Sequence, residues 1–151
     1  MVIDKIHFDW NTVKSLVSEI HEKTSSYDTG NIGIIGISRG GLVPAVLLSH
    51  YKENSHFFTV GVKSYSGQNR GKESIYQVPS IDVLTDLDTI YLVDDICDTG
   101  MTFKQLINKT FNGLKVHTIS LTYRSNSLYQ PDFYGKEIVD DSWVVFPWEK
   151  E

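Results

Sequence analysis

The sequence predicts an α/β fold: a central, mostly parallel twisted sheet flanked by helices, organised as one domain over residues 1–151. Short apolar runs alternate with amphipathic segments along the chain, the pattern of strands and helices that cover one another. Residues 32–37 (IGIIGI) and 90–93 (IYLV) carry no charge, as strands buried on both faces require. No internal repeat or low-complexity tract interrupts the alternation. A chain of 151 residues is long enough for one core that buries roughly 70% of the surface exposed on unfolding.

Asp9 is placed to cap a first helix, in which Trp10, Val13, Leu16, Val17 and Ile20 recur at three- and four-residue intervals. That helix ends by the turn at 25–30. A strand at 32–37 follows, then the turn SRGG, then an apolar helix over 42–51. A third strand is expected at 57–63. Residues 64–80 are polar, contain Gly67, Gly71 and Pro79, and show little periodicity, which predicts a mobile loop. The next strand is 90–93, followed by a helix over 101–111 and a strand over 116–123. The tail at 133–148 is aromatic and is expected to be irregular.

Apolar residues make up 40% of the chain and charged residues 22%, with a formal net charge of −5. No apolar run approaches the ~20 residues that span a bilayer, so no membrane association is expected, and the acidic balance offers no footprint for nucleic acid. The first ten residues, MVIDKIHFDW, resemble neither a secretory signal nor an Arg-rich transit peptide; a cytoplasmic location is expected. A single cysteine, Cys97, excludes a disulfide framework and any cysteine-based zinc cluster. It is read as a packing residue, and any metal must have oxygen ligands.

The chemistry concentrates at 90–102, IYLVDDICDTGMT. An apolar strand runs into Asp94 and Asp95, then turns through Asp98, Thr99, Gly100, Met101 and Thr102 into a helix. Ligands of open α/β sheets bind at strand carboxyl ends, and a helix start offers unpaired N–H groups to an anion. Gly100 permits close backbone approach, while Thr99 and Thr102 add hydroxyl donors. Two carboxylates beside a phosphate would repel it, so sugar hydroxyls or a divalent cation should lie between. This string resembles the phosphoribosyl-pyrophosphate motif of type I phosphoribosyltransferases. The resemblance implies that Asp94 and Asp95 hold the ribose hydroxyls and a nearby magnesium shell, and that Asp98, Thr99, Gly100, Met101 and Thr102 cradle the 5-phosphate. It also implies the fold of that family, with a small hood formed largely by the C-terminal segment.

Ser38, Arg39, Gly40 and Gly41 follow the first buried strand; the paired glycines open the backbone to an anion, and Arg39 adds a bidentate charge. ISRGGLVPAVLL resembles the pyrophosphate loop and following helix of bacterial xanthine-guanine phosphoribosyltransferases. Lys63, Ser64 and Tyr65 look like the start of the catalytic flap of hypoxanthine-guanine enzymes, with Arg70 and Lys72 further along to meet pyrophosphate. In PDFYGKEIVDDSWVVFPWE, which resembles both purine subfamilies, Trp143 stands where an aromatic ring stacks on the purine. Val144 would offer backbone groups to the base edge, and Glu149 falls where the family has an acid near the second magnesium. The sequence departs from the family at Arg124, where purine enzymes generally place a lysine against the 6-oxo group. It departs again at Val145, where xanthine-guanine enzymes can carry an acid.

The resemblance therefore implies Mg2+-dependent transfer of the 5-phosphoribosyl group to a 6-oxopurine (guanine, xanthine or hypoxanthine). Magnesium and Arg39 would stabilise charge growing on the leaving pyrophosphate, the flap begun by Ser64 and Tyr65 would exclude water, and Asp98 would take or stabilise a base proton. Family enzymes are commonly homodimers or homotetramers. Two other readings stay open: a regulator of the same fold that binds the sugar pyrophosphate without catalysis, and an enzyme for a pyrimidine base.

Overall fold

The computed structural model describes residues 2–64 and 73–150. In chain order the elements are β1 (Lys5–His7), α1 (Trp10–Thr24), β2 (Ile32–Ser38), α2 (Leu42–Tyr51), β3 (His56–Ser64), β4 (Glu73–Tyr76), α3 (Ile81–Thr85), β5 (Thr89–Cys97), α4 (Met101–Gln105), β6 (Val116–Arg124), β7 (Phe133–Ile138) and β8 (Trp143–Val145). Six strands form one sheet in the order β4-β3-β2-β5-β6-β7. Its pairings are parallel except β3 with β4. The predicted α/β class and mostly parallel sheet are thus what the chain adopts.

The alternation of side chains along each strand splits the core in two. Ile34, Tyr91, Val93, Ile119 and Leu121 point to the face covered by α1 and α2, where they meet Val13, Leu16, Val17, Ile20, Ala45 and Leu48. Ile35, Ile37, Ile90 and Leu92 point to the opposite face and pack on Leu84 of α3 and on Phe103 and Leu106 in and just after α4. Asp9 caps α1 as its spacing predicts, its carboxylate accepting the Thr12 N–H at 2.7 Å. The predicted helix at 101–111 starts in place, but after Gln105 it loosens into a turn of π-helix, Leu106–Thr110.

Two expectations need correction. The tail is not irregular: β7 extends the sheet beside β6, and β8 pairs in parallel with β1. β1 is the three-residue KIH and β8 the three-residue WVV. Pieces this short are specified by their partners and not by a local pattern. The polar stretch at 64–80 is likewise not all loop. Glu73–Tyr76 runs antiparallel to β3, Ser64 opposite Glu73 and Gly61 opposite Tyr76, and the short helix α3 follows. Residues 65–72 lie outside the described residues.

One buried polar cluster fixes the sheet at the end away from the strand tips that carry the acidic pair. The Lys52 side chain, 0% exposed, donates to both Asp28 oxygens at 2.8 and 3.0 Å and to Thr24 Oγ1 at 2.9 Å. The Tyr91 hydroxyl also donates to Asp28. Burial pulls the Lys52 ammonium below its ordinary pKa, an effect that Asp28 opposes; burial and the Asp28 charge together push the Tyr91 hydroxyl far up. The ends of α1 and α2 and the start of β5 are tied at one point.

Candidate active site

β2 and β5 are parallel neighbours, with Gly36 in register with Val93, so their carboxyl ends emerge side by side. From β2 the chain turns through Ser38, Arg39, Gly40 and Gly41, closed by Gly41 N–H to Ile37 O at 2.9 Å and Leu42 N–H to Arg39 O at 3.1 Å. The Ser38–Arg39 peptide bond is cis. Contact with backbone requires Gly41, and contact with a side chain disfavours anything larger at Gly40. A Cβ on Gly40 would strike the Asp95 carboxylate, and one on Gly41 would lie 2.7 Å from Ile37 O and 2.9 Å from Asp94 Cα. The turn therefore rests directly on the acidic pair.

On β5, the Asp95 N–H donates to Asp94 Oδ1 at 2.9 Å and the Ile96 N–H to Asp95 Oδ1 at 2.8 Å. Burial first, and then the Asp95 charge, hold the Asp94 carboxyl well above the usual carboxylate range, with Glu73 adding to the shift. Burial also raises Asp95, with a contribution from Glu149. Carboxylates from three parts of the chain thus meet at this strand end, Glu73 acting on Asp94 and Glu149 on Asp95. Gly100 adopts φ 87°, and a Cβ there would lie 2.6 Å from Ser127 Oγ and 2.7 Å from Tyr129 N; the turn admits no larger residue. Thr99 Oγ1 accepts the Met101 N–H at 3.3 Å. Cys97 is buried against Ser127 and Tyr129, its thiol pushed up by burial, as a packing residue should be.

A cleft of about 680 Å³ brings Arg39, Gly40, Asp95, Asp98, Trp143 and Glu149 onto shared walls. Trp143 is 51% exposed, while Val144 and Val145 beside it are buried. β8 is anchored by Trp143 N–H to Asp4 O at 2.8 Å. Glu149 is steadied where its Oε1 accepts the Phe146 N–H at 3.1 Å. Trp148 also lines the cleft and stacks on Phe146, ring centroids 4.8 Å apart.

Not every predicted residue is on those walls. Asp94 lies on β5 against Gly41, Thr99, Gly100, Met101 and Thr102 form the turn and helix start that follow β5, and Ser38 ends β2. Ser64 closes β3 opposite Glu73; Tyr65, Arg70 and Lys72 lie outside the described residues. Arg124 is engaged by protein: Nε donates to Asp98 Oδ1 at 2.7 Å, Nη1 to Asp140 O at 2.9 Å and Nη2 to Ser142 O at 3.1 Å. One participant had no signal in the sequence. Glu73 of β4 sits 2.7 and 2.9 Å from Thr102 Oγ1, placing a carboxylate on a hydroxyl expected to meet phosphate. It lies in the stretch read as loop, and only the pairing of β4 with β3 brings it there.

An open, mostly parallel sheet with a carboxylate pair, a glycine turn and a hydroxyl-bearing turn gathered at adjacent strand ends defines the class. It is an α/β protein shaped to hold a phosphorylated ligand rich in hydroxyls. The sequence profile of the phosphoribosyl transferase domain matches residues 6–151, and the chain belongs to that family. It is 31% identical over 116 residues to a xanthine-guanine phosphoribosyltransferase of Cereibacter sphaeroides, covering 77% of this chain and 68% of the relative. A protein of the same description from Chromohalobacter salexigens is 30% identical over 146 residues, 97% of this chain and 80% of its own length. The crystal structure of a purine phosphoribosyltransferase from Pyrococcus horikoshii superposes with a TM-score of 0.85 at 32% identity, covering 99% of this chain and 97% of the other. The expected type I phosphoribosyltransferase fold and family are therefore what the chain has.

Proposed function

We propose that the protein, through a single domain, transfers the 5-phosphoribosyl group of phosphoribosyl pyrophosphate to a 6-oxopurine, yielding the nucleoside monophosphate and pyrophosphate in purine salvage. The observation that carries this reading is the shared cleft: it joins the acidic strand end and the SRGG turn to the half-exposed ring of Trp143. A flat, rigid indole suits a flat heterocycle, and the named relatives act on purines.

In this reading the C1–O bond to pyrophosphate breaks as a ring nitrogen of the base bonds to C1. Arg39 and the Gly40–Gly41 backbone meet the departing pyrophosphate. Asp94 and Asp95 hold the ribose hydroxyls, Thr99 to Thr102 the 5-phosphate, Trp143 the base face and Val144 its edge. By the family resemblance, Ser64 and Tyr65 would begin a flap that excludes water. Asp94, Asp95 and Glu149 would supply oxygen donors to Mg2+; among the described residues no three His, Cys, Asp or Glu side chains are grouped closely enough to hold an ion by themselves, so substrate oxygens would complete its shell. Magnesium, when bound, neutralises charge growing on the pyrophosphate. A homodimeric or homotetrameric assembly rests on the family resemblance alone; a cytoplasmic location is the expectation drawn from the sequence. Among the described residues no helix is long and apolar enough to cross a membrane.

Release of pyrophosphate that depends on both magnesium and an added purine tests the reading; sugar-pyrophosphate binding without release would replace it with the regulator. Asp98 stands at the cleft with one oxygen held by Arg124, leaving the other to take or stabilise the base proton. Asp98→Asn is expected to cut kcat by about 100-fold with little change in KM for the sugar pyrophosphate; near-normal turnover would remove the general-base role.

Glu73 and a 5-phosphate cannot both sit on Thr102, since two anions would compete for one donor. Glu73→Gln removes the charge and is expected to lower KM for phosphoribosyl pyrophosphate by about threefold or more. Steady-state kinetics check this, and an unchanged or higher KM would mean that Glu73 is no competitor.

A further inference from the structure

We infer that Arg124 is a positioning residue that locks Asp98 and the 140–142 turn of the hood into one unit, and thereby sets the base slot between Asp98 and Trp143. The inference rests on the proposed purine transfer and deepens it. A lysine reaching the 6-oxo group is what the family resemblance places here, yet the arginine is committed to protein on both edges. Nε serves Asp98 at 2.7 Å, while Nη1 and Nη2 serve the carbonyls of Asp140 and Ser142 at 2.9 and 3.1 Å. Its side chain is 11% exposed, but the bonds to Asp98 and Asp140 O lie on the exposed side; three acceptors held at once, and not burial, are what fix the fork.

The acceptors are organised to receive it. Asp140 Oδ1 takes the Ser142 N–H at 2.9 Å, which closes the turn and presents the two carbonyls together. The Arg124 charge helps hold the Asp140 carboxyl below its usual range, after the stronger effect of the bonds from Ser142. The next residue is Trp143, paired to Lys5 of β1. Asp98, by contrast, is 48% exposed, and the Arg124 fork is what fixes the direction of its carboxylate. A planar fork spans a carboxylate on one side and two carbonyls on the other, whereas a single ammonium nitrogen cannot occupy all three donor positions. The geometry explains why arginine stands here: it joins catalytic turn and hood.

The test separates positioning from direct reading of the base. If Arg124 merely donates to the 6-oxo group, Arg124→Lys should work as well as the parent. Positioning predicts instead that Arg124→Lys loses about ten- to a hundredfold in kcat/KM for the purine, with KM for phosphoribosyl pyrophosphate within about twofold of the parent. Arg124→Ala should be partly rescued by added guanidinium and not by ethylammonium. Amide hydrogen exchange at 140–144 should speed up in both variants, with melting temperatures confirming that they fold. Parental efficiency in Arg124→Lys, equal rescue by ethylammonium, or unchanged exchange would overturn the inference. If the parent itself transfers to no base, the proposed function fails, and the exchange result still decides whether Arg124 holds the hood.

Discussion

Asp94→Asn is expected to give a protein that melts higher than the parent without ligand and turns over at least about 100-fold more slowly. Burial and the neighbouring Asp95 and Glu73 charges raise the Asp94 carboxyl well above its ordinary value. A carboxyl whose folded pKa is raised binds its proton more tightly folded than unfolded. Stability is therefore greatest below the ordinary pKa of about 4 and declines as pH rises toward and through the raised value. The substituted amide retains an oxygen to accept the Asp95 N–H, now at 2.9 Å from Asp94 Oδ1, but carries no charge to repel its neighbours. The gap in melting temperature between variant and parent should thus widen with pH above about 4. Activity falls because the same charge, costly in the empty site, is what engages ribose hydroxyls and metal. A variant that melts lower at neutral pH, or one that keeps full turnover, would refute this account of the acidic pair.

Asp28→Asn is expected to be the most damaging single change to stability away from the cleft. It leaves the fully buried Lys52 ammonium without its counter-charge, and breaking a buried pair from one side costs about 3–5 kcal/mol. For a domain of this size that lowers the melting temperature by roughly 10 °C. Lys52→Met should cost less, because Asp28 is 20% exposed and keeps the Tyr91 hydroxyl as a donor. Thermal unfolding of the two variants side by side checks the order; a greater loss in Lys52→Met would show that the amine's packing, not its charge, dominates.

Much of this was legible in the amino-acid order because the fold is built from elements that bury themselves. The uncharged runs at 32–37 and 90–93 are covered by helices on both faces, so their composition announces them, and the 3.6-residue spacing from Trp10 to Ile20 announces α1. The acidic pair and the turn through Gly100 were legible because close backbone packing tolerates few residue types: Gly40 and Gly41 touch the DD strand, and Gly100 meets Tyr129. The unread parts depend on distant partners. KIH, ESIY and WVV become strands only where β8, β3 and β1 supply ladders, and none has a period long enough to count. Glu73 reaches Thr102 across 29 residues, and Arg124 reaches carbonyls of Asp140 and Ser142 that have no side-chain signature. A residue's type can suggest a donor; which acceptor it finds is set by the packing.

The central claim is that the Asp94–Thr102 strand end, the SRGG turn and Trp143 serve one reaction on one base class. The direct measurement is formation of nucleoside monophosphate from phosphoribosyl pyrophosphate with guanine, xanthine, hypoxanthine, adenine and uracil in parallel, each with and without magnesium. The account predicts magnesium-dependent product from one or more of the three 6-oxopurines, little from adenine and none from uracil. Product from uracil alone, or tight binding of the sugar pyrophosphate with no product from any base, would contradict it.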